Sequence, residues 1–210
     1  MSQGPAHEED KTMITIGVTG GVGAGKSEVL RYLNARWGAE ILRLDDLGRT
    51  LLDPDGACYH DAVRLLGEEI VLPDGTLDRK RIAAMIFSDG ALREGLNALI
   101  HPAVRETSLN MVRGARERDV PLMVIESALL FDDHYDAICD EVWYIYADAA
   151  TRSGRLKASR GYPEERIRGI MKAQLSDEAF RARCAAVIDN SGSFESTERQ
   201  IDTRIREMLS

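Results

Sequence analysis

No hydrophobic run in this 210-residue chain approaches the roughly 20 residues needed to cross a bilayer, and its most apolar stretch, Leu122 to Phe131, is broken by Glu126 and Ser127. Cysteine is scarce. Cys58, Cys139 and Cys184 are odd in number, far apart and in no metal-ligand spacing, which excludes a disulfide framework or a zinc ribbon and fits thiols of a reducing compartment. Positive charge is in deficit: 27 Lys and Arg against 35 Asp and Glu give a net charge of −8. Non-specific nucleic-acid binding needs a basic face, so that class is set aside. An anionic substrate would have to be met by cations gathered locally. Aromatics make up 6% of the chain, and Trp37, Trp143 and the scattered tyrosines suit a core better than a base-stacking platform. Internal repeats and low-complexity tracts are also missing. The polar, acidic start, Met1 to Lys11, lacks the charged-then-apolar order of a signal peptide. The expectation is a disordered tail over 1–12 and a cytoplasmic protein that engages neither membrane nor nucleic acid.

What is present is compatible with one folded domain carrying an insert: 44% hydrophobic and 30% charged residues. Gly20-Gly21-Val22-Gly23-Ala24-Gly25-Lys26-Ser27 match G-x-x-x-x-G-K-[ST], the P-loop pattern. A buried strand, Met13–Thr19, precedes it, and a helical periodicity begins at Glu28. In that setting successive backbone N–H groups turn toward one anion and the helix adds its positive end. Gly21, Val22, Gly23, Ala24, Gly25, Lys26, Ser27 and Glu28 then form the expected nucleotide cradle. Lys26 would reach the outer phosphates and the Ser27 hydroxyl would ligate Mg²⁺. A nucleoside triphosphate is the implied ligand.

Five apolar segments read as strands of a parallel sheet buried on both faces: Met13–Thr19, Ala39–Leu44, Leu122–Ile125, Val142–Ala147 and Ala186–Ile188. Helical patterns between them give a βαβ order. The second and third strands are too far apart for one crossover helix. A mostly helical substrate domain is therefore expected at 56–119, with a turn at Leu72–Gly75, a helix over Asp78–Phe87, and a long helical stretch from Leu92 to Arg118 interrupted near His101-Pro102. A helical hairpin at 151–183 carries Arg152, Arg155, Lys157, Arg160, Arg166, Arg168 and Lys172; it reads either as a solvated basic face or as a lid over phosphates. The P-loop core is left with 13–55, 120–150 and 184–210.

Phosphoryl transfer asks a protein for positioning and charge neutralisation, and such groups lie beyond the C-terminal ends of the strands. Asp45 and Asp46 follow the second strand. Asp45 could accept a proton from a substrate hydroxyl or cap the helix expected near Leu47; Asp46 suits the cap. Glu126 ends the third strand, where an acid either holds Mg²⁺ or pairs with a nearby cation. His101 reads as structural.

Taken together, the chain resembles the dephospho-CoA kinase family, from about Ile14 to the C-terminus. The resemblance rests on Ile16–Ser27, on Asp45 to Arg49, on Leu72-Pro73-Asp74-Gly75-Thr76-Leu77-Asp78-Arg79, on Leu96-Asn97-Ala98-Leu99-Ile100-His101-Pro102 and on Val187-Ile188-Asp189-Asn190-Ser191-Gly192. It implies an α/β P-loop core with a five-stranded parallel sheet, an inserted helical CoA-binding domain and a helical lid. ATP would be the phosphoryl donor, Mg²⁺ the metal and the ribose 3′-hydroxyl of dephospho-CoA the acceptor, with no obligate protein partner. It assigns Asp45 as the base, Arg155 as the lid arginine and Asn190 to an adenine-proximal loop. Arg43 stands where the family often has an acid, and Glu126 where it often has aspartate. Other readings of the same motifs are a small P-loop nucleoside or nucleotide kinase, a GTP-hydrolysing switch, for which no Asn-Lys-x-Asp string is present, and a non-catalytic nucleotide-binding relative.

Overall fold

A computed structural model describes residues 13–210; the tail expected over 1–12 lies outside them. The chain divides into two compact units, one made of residues up to Ile41 and from Ala115 onward, the other of Leu42–Gly114.

The described residues form a five-stranded sheet of order β2-β3-β1-β4-β5, with β1 Ile14–Thr19, β2 Glu40–Arg43, β3 Leu122–Glu126, β4 Glu141–Tyr146 and β5 Ala186–Asp189. All of it but the last two residues of β2 belongs to the first unit. Central β1 pairs in parallel with β3, Ile14 opposite Leu122 and Val18 opposite Glu126, and with β4, Thr19 opposite Tyr144. β5 extends the sheet with Trp143 opposite Ala186 and Tyr146 opposite Asp189. Strands covered on both faces read as unbroken apolar runs. Accordingly Ile16, Val18, Met123, Val124, Ile125, Trp143 and Ile145 are completely buried. Helix α1, Lys26–Trp37, and the C-terminal helix, Phe194–Met208, bury Val29, Leu30, Leu33, Ile201 and Ile205 in the same core. The strands run one residue past expectation at Glu126 and Asp189, and the sheet follows the expected α/β plan.

The second unit has its own core of Ala62, Leu66, Ile70, Leu77, Ile82 and Leu96. Its first helix is α2, Leu44–Thr50, followed by α3, Tyr59–Leu66. The Leu72–Gly75 turn is real: Gly75 N–H bonds to the Leu72 carbonyl at 2.9 Å in a left-handed conformation, and Val71 bridges Leu77. Asp78 caps α4, Arg79–Ser88, accepting from the N–H groups of Lys80 and Arg81 at 3.0 Å each. Asp89 does the same for α5, bonding Ala91 N–H at 2.8 Å.

Helix α5 corrects one expectation. It runs without a break from Gly90 to Glu117 with Pro102 inside it. A proline removes one N–H and frees the carbonyl four residues earlier, here that of Ala98. His101, Pro102 and Ala98 are all exposed, so water can satisfy that carbonyl, while Leu96 is buried and Leu99 and Ile100 pack on the unit's core. Among the described residues no helix is long and apolar enough to cross a membrane.

The first unit also carries α6 Ala149–Arg160, α7 Glu164–Lys172 and α8 Asp177–Arg183, with Phe194–Met208 as α9. Asp148 caps α6 through the Thr151 N–H at 2.8 Å, and an ion pair between Lys157 and Glu164 joins α6 to α7.

Candidate active site

The P-loop string lies between β1 and α1, as its spacing requires. Gly25 precedes α1 at φ +89°, a left-handed conformation that glycine takes at no steric cost. Ala24 N–H bonds to the Gly21 carbonyl at 3.1 Å and Glu28 N–H to the Gly25 carbonyl at 3.0 Å. Those internal bonds wind the loop tightly. Among the described residues the N–H groups of Gly23, Gly25 and Ser27 meet no protein acceptor, so they are left to take an anion at a helix N-terminus.

Lys26 is the first residue of α1. Its Nζ donates to the Gly20 carbonyl at 2.8 Å and lies 3.7 Å from Glu126 Oε1, both side chains about 15% exposed. Sheet register explains the pairing: Glu126 sits opposite Val18, so the end of β3 lies beside the start of the loop. Of the two readings of Glu126, the structure shows the cation pair directly. The Ser27 hydroxyl is exposed and makes no hydrogen bond among the described residues. Ser27 and Glu126 offer hard oxygen donors, which suit Mg²⁺; that ion is held by one or two protein oxygens together with substrate phosphates rather than by a protein cage. Among the described residues no group of three or more His, Cys, Asp or Glu could hold a metal ion.

Two more elements hold the loop. Asn190, the residue after β5, is completely buried. Its Nδ2 donates to the Ala24 carbonyl at 2.8 Å and its Oδ1 accepts from Thr197 Oγ1 at 3.0 Å. Arg155 on α6 donates to the same Ala24 carbonyl at 3.2 Å and to the Asn190 carbonyl at 2.9 Å. Lys26, Ser27, Glu126, Arg155 and Asn190 are thus brought together around one loop. In a chain of net charge −8, that loop is lined with lysine and arginine, the local concentration that an anionic ligand needs.

Sequence reasoning singled out neither Gln174 nor Arg152 for a role of its own. Arg152 Nε donates to the Val22 carbonyl at 3.0 Å, and Gln174 Oε1 accepts from Val22 N–H at 3.2 Å and from Arg152 Nη2 at 2.5 Å. Residues just beyond Gln174 are fixed to the sheet: Tyr144 donates its hydroxyl to Asp177 at 2.6 Å and stacks on Phe180 with centroids 4.6 Å apart. Burial, with the adjacent Asp177 carboxylate, pushes the Tyr144 hydroxyl well above its ordinary pKa, so it stays a donor.

In the second unit Asp45 and Asp46 lie in the first turn of α2, whose N-cap is Arg43. Neither caps the helix. Asp46 pairs with Arg49 at 2.8 Å and Arg43 at 3.8 Å. Asp45 is exposed and makes no hydrogen bond or ion pair among the described residues, which leaves its carboxylate available as a proton acceptor.

Residues 14–196 match the family model described as dephospho-CoA kinase. The chain belongs to the dephospho-CoA kinase family. A dephospho-CoA kinase from Geobacter sulfurreducens is 37% identical over 190 residues, covering 90% of this chain and 96% of the relative. A solved protein from Thermus thermophilus superposes with a TM-score of 0.78 at 31% identity, over 93% of this chain and 97% of its own. The dephospho-CoA kinase of Campylobacter jejuni gives 0.70 at 18% identity, over 92% and 96%, which speaks for the fold. Membership makes the chain a P-loop kinase, a phosphotransferase of coenzyme A biosynthesis.

Proposed function

We propose that this protein transfers the γ-phosphoryl group of ATP to the 3′-hydroxyl of dephospho-CoA, giving coenzyme A and ADP. The observation that carries the reading is the loop itself. The unpaired amides of Gly23, Gly25 and Ser27 lie next to Lys26, which is held by the Gly20 carbonyl and Glu126. In the step, the bond between the 3′-oxygen and the γ-phosphorus forms as the bridging β–γ bond breaks, and negative charge passes to the ADP leaving group. Loop amides and Lys26 stabilise that charge, and because they are fixed beforehand they need no reorganisation. Mg²⁺, held by Ser27 with Glu126, would draw charge from the phosphate oxygens.

Asp45 takes the hydroxyl proton in this reading. It follows β2, where strand ends of open α/β sheets place their chemistry, and it is not committed to a cap or an ion pair. The 56–119 segment, with its own apolar core, suits the acceptor's pantetheine and diphosphate parts. Segment 151–183 acts as the lid: Arg155 closes on transferring phosphate and helps exclude water. The Asp189–Gly192 loop lies near adenine, with Asn190 supporting the cradle behind it. In this reading the protein works in the cytoplasm, which suits the three free cysteines as thiols of a reducing compartment.

The test compares kcat/KM for dephospho-CoA, adenosine, AMP and shikimate under identical ATP and Mg²⁺. Remote binding energy positions the hydroxyl only for the acceptor that carries those groups, so dephospho-CoA should be strongly preferred. Asp45→Asn should lower kcat by about 10²–10⁴-fold with little change in KM. A preference for any other acceptor, or a wild-type kcat in Asp45→Asn, would refute the acceptor or the base.

A further inference from the structure

Arg155 is not the lone arginine set against the cradle. Arg152, one helical turn earlier on α6, turns its guanidinium onto the loop's first residues. It lies so close over Gly21 that a Cβ there would collide with it. Nε holds the Val22 carbonyl at 3.0 Å and Nη2 the Gln174 side-chain oxygen at 2.5 Å. A guanidinium has five N–H donors; two are engaged, so three donors and the full charge remain beside the loop.

Gln174 decides where that guanidinium sits. One amide oxygen accepts both Arg152 and the Val22 N–H, the latter at 3.2 Å. This uses both its lone pairs and leaves the amides of Gly23, Gly25 and Ser27 untouched. The glutamine therefore does not plug the cradle. It ties off a rim amide and locks the rotation of the arginine above it. Three residues on, Asp177 is bound to Tyr144 of β4 at 2.6 Å, so the glutamine is carried by an anchored segment.

We propose that Arg152 is a second phosphate-binding cation of the nucleotide site, and that Gln174 is the positioning residue that holds it there. The inference rests on the loop being the ATP site. An arginine fork matches phosphate oxygens two at a time, and a protein of net charge −8 needs such cations placed locally.

The experiment measures affinity for ATP, ADP and adenosine, with KM and kcat, in the full-length wild type and in Arg152→Ala, Arg152→Lys, Gln174→Met and the Arg152→Ala/Gln174→Met double variant. Arg152→Ala should weaken ATP by about tenfold or more while adenosine changes less than about twofold, because only phosphate contacts are lost. Lysine keeps charge without the fork and should fall between. Gln174→Met should weaken ATP by about three- to tenfold and speed hydrogen exchange at the Val22 amide. Added to Arg152→Ala it should bring less than about a further twofold, having nothing left to position. Unchanged ATP affinity in Arg152→Ala, or adenosine falling in step with ATP, would overturn the inference, as would additive losses in the double variant. Tighter ATP binding in Gln174→Met would make the glutamine a plug and refute its positioning role. A wild-type protein that binds no ATP would instead overturn the nucleotide-site reading, and this inference with it.

Discussion

Asn190→Ala isolates what the cradle owes to support from behind. The wild-type side chain is fully buried and makes two hydrogen bonds, to the Ala24 carbonyl at 2.8 Å and from Thr197 Oγ1 at 3.0 Å. Truncation leaves neither partner orphaned: the Ala24 carbonyl keeps Arg155 at 3.2 Å, and Thr197 keeps the Asp189 carbonyl at 3.1 Å. The full penalty of a buried unsatisfied group is therefore avoided. The loss reduces to roughly 1 kcal/mol for the bonds and about 1 kcal/mol for the small void. At about 2–4 °C per kcal/mol for a chain of this size, the thermal midpoint should drop by about 4–8 °C. Ala24 sits inside the loop, so slackening its carbonyl should also raise the KM for ATP several-fold while kcat changes less. Differential scanning calorimetry and initial-rate kinetics read the two effects separately. Thr197→Val removes the only donor to the buried Asn190 Oδ1 among the described residues and leaves that oxygen unsatisfied. It should cost stability at least as much, about 1–3 kcal/mol, while the KM for ATP rises less because Asn190 Nδ2 still holds the Ala24 carbonyl. If the midpoint falls and the KM for ATP stays at wild type, Asn190 serves the fold alone and the positioning argument is wrong.

Two other perturbations bear on the chemistry and on pH. Lys26→Ala should keep the circular dichroism spectrum and lower turnover by about 10²–10³-fold, since it removes a donor fixed at the phosphates; near-normal turnover would refute the P-loop assignment. Burial pushes the Cys139 thiol up to about 12 and that of Cys184 up to about 11, so above about pH 9 the unfolded chain holds fewer protons than the folded one and stability falls as pH rises toward 11. Cys139→Ala should flatten that fall in urea midpoints between pH 8.5 and 10.5, and an unchanged slope would show that the thiol does not contribute.

The sheet was legible because strands covered on both faces spell themselves as apolar runs such as Leu122–Ile125. Their ends were less so. Glu126 and Asp189 remain in the ladder, because backbone pairing continues for one residue after hydrophobicity has stopped. α2 begins at Leu44 rather than near Leu47, so neither aspartate is a cap. Asp next to a helix start is an ambiguous signal, since a first-turn acid also favours the positive helix end. Pro102 suggested a break that solvent exposure made unnecessary. Gln174 carried no signal at all: it is neutral, ends a helical pattern, and meets Val22 across 152 positions of sequence. Only tertiary structure could assign it a role.

The glycines of the phosphate loop show how far a motif can be read before its causes diverge. Gly25 has φ +89°, and a backbone preference is reason enough for glycine there. Gly21 has no positive φ; its Cβ position is filled by the guanidinium of Arg152. At Gly25 the vacant position is also taken, by the Asn190 amide. These residues are glycine partly so that side chains from α6 and from the end of β5 can approach the loop's backbone. The pattern G-x-x-x-x-G-K-S requires Gly25 and leaves position 21 open, so it is this loop's own sequence, Gly20 to Ser27, that encodes two things at once. One is the turn that exposes the amides, which any reader of the motif recovers. The other is the clearance through which Arg152, Arg155 and Asn190 set the loop's shape and charge, and it depends on residues more than a hundred positions away.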